Sequence, residues 1–130
     1  MENEEFVGRV RVQLGAKSEE EAVRTVEAYL ETLAERLGGF GPYELSEKLP
    51  WLEAYPARGT GEANRFPRRE FRRRMGERAG VSEADAVRRA RLVGEVLSRA
   101  AGRDAMDDLR GQLPEEFWEL IGRSIRRPKP

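Results

Sequence analysis

Apolar residues recur along this chain at steps of three and four, in two long stretches. In the first, Val23, Val26, Leu30, Leu33 and Leu37 fall on one side of a helix with a 3.6-residue period. Ser18 and Glu21 form a capping box at its start: the hydroxyl takes an orphan backbone N–H, and the carboxylate reaches back to the cap. Gly38-Gly39 stops it. The second stretch repeats the device with Ser82 and Asp85, then Val87, Ala90, Leu97 and Ala101, and ends at Gly102. Long helices are expected over roughly 18–37 and 82–101.

The segment ahead of the first long helix is ambiguous alone. Val10, Val12 and Leu14 alternate with Arg9, Arg11 and Gln13, which reads as a half-buried strand. The corresponding run from Phe71 to Ala79 has no such alternation, but Phe71, Met75 and Ala79 share a helical face, as do Phe6, Val10 and Leu14. Both segments are therefore expected to be helical. A short third helix follows each long one, the first with Pro42 in its opening turn ahead of Tyr43, Leu45 and Leu49. The second runs from Asp104 through Met106, Leu109 and Leu113. Pro50 and Pro114 then redirect the chain. Past Pro114, the residues Phe117, Trp118, Leu120 and Ile121 predict a closing helix, whereas Trp51, Leu52 and Tyr55 predict only a turn.

The two halves carry one pattern twice. At a constant offset of 64, residues 18–50 and 82–114 are identical at 11 of 33 positions, including both serine caps and both Leu-Pro stops. Before Ser18 the register slips by one, so Glu5-Phe6 falls on Glu70-Phe71. A period this long has room for three helices and marks a duplicated multi-helix unit. The expected fold is an all-α helical bundle, two pseudo-repeated three-helix units plus a short C-terminal helix, in a single domain over 1–130. Copy one covers about 4–52 and copy two about 67–121. A linker over 56–66 contains the breakers Pro56, Gly59, Gly61 and Asn64, and 123–130 form a frayed tail.

This order of elements resembles an uncharacterised bacterial family known only as a domain of unknown function. The order is a Glu-Phe helix, a glycine, a Ser-capped long helix and Leu-x-x-x-Leu-Pro, found at Leu45 to Pro50 and at Leu109 to Pro114. The family is small, all-helical, internally duplicated and mostly standalone. The resemblance covers roughly residues 4–121 and implies a helical fold and a bacterial, cytosolic origin. It brings no catalytic residues with it.

Composition narrows the chemistry. Charged residues make up 37% and hydrophobic ones 38%, as suits a soluble helical protein with amphipathic faces. No apolar run approaches the roughly 18–20 residues of a membrane helix, and Met1-Glu2-Asn3-Glu4-Glu5 is the opposite of a secretory signal. A cytoplasmic location is expected. The chain has no histidine and no cysteine, which removes His/Cys zinc sites, thiol nucleophiles and histidine-centred triads. Gly59-Thr60-Gly61-Glu62 lacks the lysine of a phosphate loop. Neither cofactor nor metal is expected, nor an enzyme. Net charge is zero but polarised: residues 1–60 hold 7 basic and 12 acidic groups, and residues 61–130 hold 17 and 12.

Two constellations bear on partners. Arg65, Arg68, Arg69, Arg72, Arg73, Arg74 and Arg78 crowd one short stretch, and with Phe71, Met75 and Ala79 inward, Arg69, Arg72 and Arg73 lie outward beside Gly76. That is a candidate polyanion-binding stripe. Glu70 and Glu77 stand at ion-pairing distance along the helix, and no aromatic residue is interleaved to stack bases. The second is Ala86, Ala90 and Gly94, a small-residue ridge at four-residue steps. It would admit either a docking helix or a large side chain of the same chain, such as Trp118 or Trp51. The paired carboxylates, Asp104 with Asp107-Asp108 and Glu19-Glu20-Glu21, sit in first helical turns and read as dipole and cap partners. The expected function is a non-enzymatic helical binding or protein–protein interaction module, with a protein partner or self-association and no membrane. The alternative is a nucleic-acid-binding accessory protein using the Arg65–Arg78 helix.

Overall fold

The computed structural model describes residues 1–55 and 63–122. Its elements are α1 (Asn3–Leu14), α2 (Glu19–Leu37), α3 (Glu44–Lys48), a 3-10 segment η1 (Pro50–Ala54), α4 (Arg68–Ala79), α5 (Glu83–Ala101), α6 (Arg103–Arg110) and a second 3-10 segment η2 (Glu115–Ile121). Among the described residues there is no strand, and no helix is long and apolar enough to cross a membrane. The chain is all-α. The alternation at 9–14 is resolved as helix, with Phe6 and Val10 buried and Val12 left in solvent.

Both serine caps form. Ser18 Oγ accepts the Glu21 N–H at 3.2 Å, and Ser82 Oγ accepts the Asp85 N–H at 3.1 Å. The reciprocal half of the first box is displaced by one residue, because the Glu21 carboxylate takes the Lys17 N–H at 3.2 Å. Asp85 is one methylene shorter and turns to Arg88 and Arg89 instead. Of the expected stripes, Val26, Leu30, Leu33, Leu37, Ala90, Leu97 and Ala101 are buried, while Val23 and Val87 are only partly covered.

Three expectations are corrected. Pro42 lies outside α3, whose N-cap is Tyr43; the turn ahead of it is closed by the Tyr43 N–H on Phe40 O at 3.1 Å. The closing segment is 3-10 in character, opening with the Phe117 N–H on Pro114 O at 2.9 Å. Gly76, expected outward, is buried, since its surroundings are the backbone of Val81 and Ser82 and the Ala86 side chain. The linker breakers Pro56, Gly59 and Gly61 and the tail 123–130 lie outside the described residues.

Packing is reciprocal. Helix α1 lies on α2 and α5, α4 lies on α5 and α2, α2 touches α5, and α3 meets α6. The centre is aromatic: the fully buried Tyr29 donates its hydroxyl to Leu120 O at 2.6 Å and meets Phe71 edge-on at 5.9 Å. Phe71 in turn meets Phe117 edge-on at 6.0 Å, so α2, α4 and η2 share one chain of edge-to-face rings. The two 3-10 segments part company. Segment η2 packs along α5, whereas Trp51 of η1 stacks on Phe6 of α1 at 5.1 Å and donates Nε1–H to Met1 O at 2.7 Å.

Candidate functional site

Amphipathicity places the arginine run. Phe71, Met75 and Ala79 bury one side of α4, which leaves the guanidinium groups on its flanks and outer face. Most of them meet acids. Arg73 reaches Glu70 through Nε at 3.0 Å and Nη2 at 2.6 Å, with Glu77 at 3.9 Å. Arg72 pairs with Glu83 at 3.0 Å and Arg68 with Glu119 at 2.7 Å. Among the three proposed polyanion contacts, Arg69 alone is exposed and without an ion-pair partner among the described residues. The side-chain hydrogen bonds from Arg73 and then Arg74 pull the Glu70 carboxyl down to a pKa of about 2.

The inner flank of α4 is a structural network. Arg74 and Arg78 both close on Glu35 of α2 at 3.0 Å, and Arg78 also donates to Thr32 Oγ1 at 2.8 Å. The Glu35 Oε1 contact with Arg78 is ionic in distance but outside hydrogen-bonding geometry. Arg74 further stacks over Phe66 at 4.3 Å. A second network joins the starts of α2 and α5: Arg89, only 8% exposed, donates to Asp85 (2.8 Å), Thr25 Oγ1 (2.8 Å) and Glu21 (2.9 Å). Glu21 is held below its usual pKa by the Lys17 N–H and then Arg89; burial raises Asp85, but its Arg89 and Arg88 hydrogen bonds outweigh that.

The small-residue ridge is internal. Ala86 and Ala90 are buried, and a methyl group on Gly94 would lie 2.3 Å from Leu120 O. The gap is filled by the backbone of η2 at Leu120 and Ile121, not by either tryptophan, because only a residue without a Cβ lets that chain approach. An outside helix therefore finds this ridge already covered. Trp118 instead caps the α6 end, its indole N–H shared between Arg110 O and Leu113 O at 3.3 Å each.

Two of the open grooves bear on partners, and neither is evident in the sequence. One, of about 660 Å3, lies along α2 and is lined by Val23 and Ala28, by Glu19, Glu20, Glu27 and Glu31, and by Arg24 and Arg78. The other, of about 480 Å3, lies between α1 and α5. Among the described residues no cluster of three or more acidic side chains is placed to hold a metal ion.

No curated protein and no solved structure matches the chain. A family model described as "Uncharacterized conserved protein (DUF2267)" matches residues 3–120. That match runs from the start of α1 into η2, and the chain belongs to the DUF2267 family.

Proposed function

We propose that this protein is a non-enzymatic helical interaction module, a cytoplasmic bacterial chain grown by duplication of one three-helix unit. It engages a protein partner through the outer face of α2. The observation that carries this is the α2 groove, where Val23 and Ala28 lie among four glutamates and two arginines, a net negative lining. Such a surface suits a partner helix with a small apolar side chain flanked by lysine or arginine, since complementary charge gives specificity and speeds encounter. Duplication is supported by the lengths: 12 and 19 residues for α1 and α2, and 12 and 19 for α4 and α5.

The alternative, a nucleic-acid-binding accessory role, is favoured by the exposed Arg69, which has no ion-pair partner among the described residues. Arg72 and Arg73 serve it less, being already engaged by Glu83 and Glu70. The test is affinity capture on the full chain, comparing wild type with the double substitution Val23→Asp, Glu27→Arg. Both positions are at least partly exposed, so the variant is expected to melt near the wild type and to lose the captured protein. Equal capture by both chains would remove the α2 groove as the interface.

A further inference from the structure

The two flanks of the bundle differ in one respect that points to a ligand. Where α4 crosses α2, Arg74 and Arg78 fill the groove and close on Glu35, 3.0 Å from each. Where α1 crosses α5, the same places hold different residues. The offsets of 65 and 64 put Arg9 at Arg74, Gln13 at Arg78, Val96 at Thr32 and Arg99 at Glu35. The central acid has become a base. Gly8 and Val12 stand where α4 has the longer Arg73 and Glu77, which pair with each other along the exposed face of that helix.

The result is the open groove of about 480 Å3, in which Gly8, Val12 and the buried Val96 lie among Glu5, Arg9, Gln13 and Arg99. Val12 is 78% exposed, the one large hydrophobic side chain so exposed among the described residues. Gly8 sits inside a helix, where glycine lowers stability, yet an added Cβ would meet nothing within 4 Å. Its small size serves no internal contact, in contrast to Gly94. At the rim, Arg99 makes no hydrogen bond or ion pair among the described residues, and Arg9 uses one guanidinium nitrogen on Glu5 at 3.0 Å.

We propose that this groove binds a slender monocarboxylate. Its unbranched apolar chain lies over Gly8, Val12 and Val96, and its carboxylate is held by Arg99 with Arg9 beside it. The ligand supplies from outside the negative charge that Glu35 supplies on the opposite flank. Its apolar chain takes the place of the arginine stems there. A guanidinium fork favours a carboxylate over a neutral or cationic head group. This site is separate from the α2 groove and stands or falls independently of the partner interaction.

The test is an amide-resolved NMR titration of the full chain with sodium decanoate below its micelle concentration, and with decyltrimethylammonium in parallel. Saturable shifts centred on Gly8, Val12, Val96 and Arg99 are expected with decanoate, and binding about tenfold weaker with the cationic head group. Arg99→Glu, which rebuilds the charge found at Glu35, is expected to weaken decanoate by a similar factor. Gly8→Leu, which fills the chain's path on an exposed helix face, is expected to abolish it while the spectrum stays folded. Equal response to both head groups, shifts centred elsewhere, or decanoate binding untouched by either substitution would overturn the proposal.

Discussion

Arg89 Nη1 donates to Thr25 Oγ1 at 2.8 Å, and these two residues lie 64 positions apart, the offset that aligns the two halves of the chain. Glu44 N–H and Asp108 Oδ2, 3.2 Å apart, are separated by the same interval. If the two halves are copies related by a twofold, only positions near its axis can touch their own equivalents, as these two pairs do. The reciprocal packing of α1 on α5 and α4 on α2 has the same form. Duplication then predicts that α2 and α5 exchange under a near-twofold rotation that also carries α1 onto α4. A superposition that needs a translation instead, or that leaves α1 and α4 apart, would contradict duplication about an axis.

Core and cap positions separate by magnitude. Leu33 and Leu97 are fully buried, so Leu33→Ala and Leu97→Ala are each expected to cost about 2–5 kcal/mol. Ser18→Ala and Ser82→Ala each remove one cap hydrogen bond and are expected to cost about 1 kcal/mol. Urea melts of the four variants give the ranking; caps that outrank leucines would undo the core assignment.

Two mid-helix glycines are expected to respond in opposite directions to alanine. Gly8→Ala should stabilise by about 0.5–1 kcal/mol, since the added methyl meets nothing. Gly94→Ala drives a methyl into Leu120 O and should destabilise by about 1–3 kcal/mol as η2 is pushed off α5. Thermal melts suffice to check the signs.

Acid should weaken the fold through Glu70. Its folded pKa of about 2 lies below the ordinary glutamate value of 4.5, so the unfolded chain takes up the proton first as pH falls. The contribution is complete above 4.5 and is lost progressively down to about 2. Urea midpoints between these limits should fall less steeply for Glu70→Gln than for the wild type. Parallel slopes would mean that the pairing with Arg73 and Arg74 contributes nothing to stability.

Changing Arg69, Arg72 and Arg73 together to Gln should barely move the melting temperature, because exposed ion pairs contribute only about 0.2–1 kcal/mol each. If nucleic acid binds this face, the triple variant loses heparin and polynucleotide retention, and Arg69→Gln alone removes more of it than Arg72→Gln. Retention that none of the three changes would remove α4 as a polyanion surface.

What the sequence made legible was local. The serine caps and the shared face of Phe71, Met75 and Ala79 follow from spacing alone, as does the Glu70–Arg74 pair. The need to explain Gly94 was visible too, but its cause was not, because Leu120 reaches α5 only in the folded chain. The same holds for Glu35, which gathers Arg74 and Arg78 from another helix, and for Arg72, whose partner Glu83 lies across a turn. Nothing in a helical period marks where two helices fail to fill the space between them, so the open grooves are not legible in the sequence.

The most direct measurement is capture from native lysate on the immobilised full chain, at low and at high salt, with and without nuclease. A protein partner seated over Val23 and Ala28 is expected to survive nuclease and to weaken only modestly with salt, because part of its contact is apolar. Loss of all bound material after nuclease, with retention falling steeply as salt rises, would contradict the interaction module and favour nucleic acid on α4.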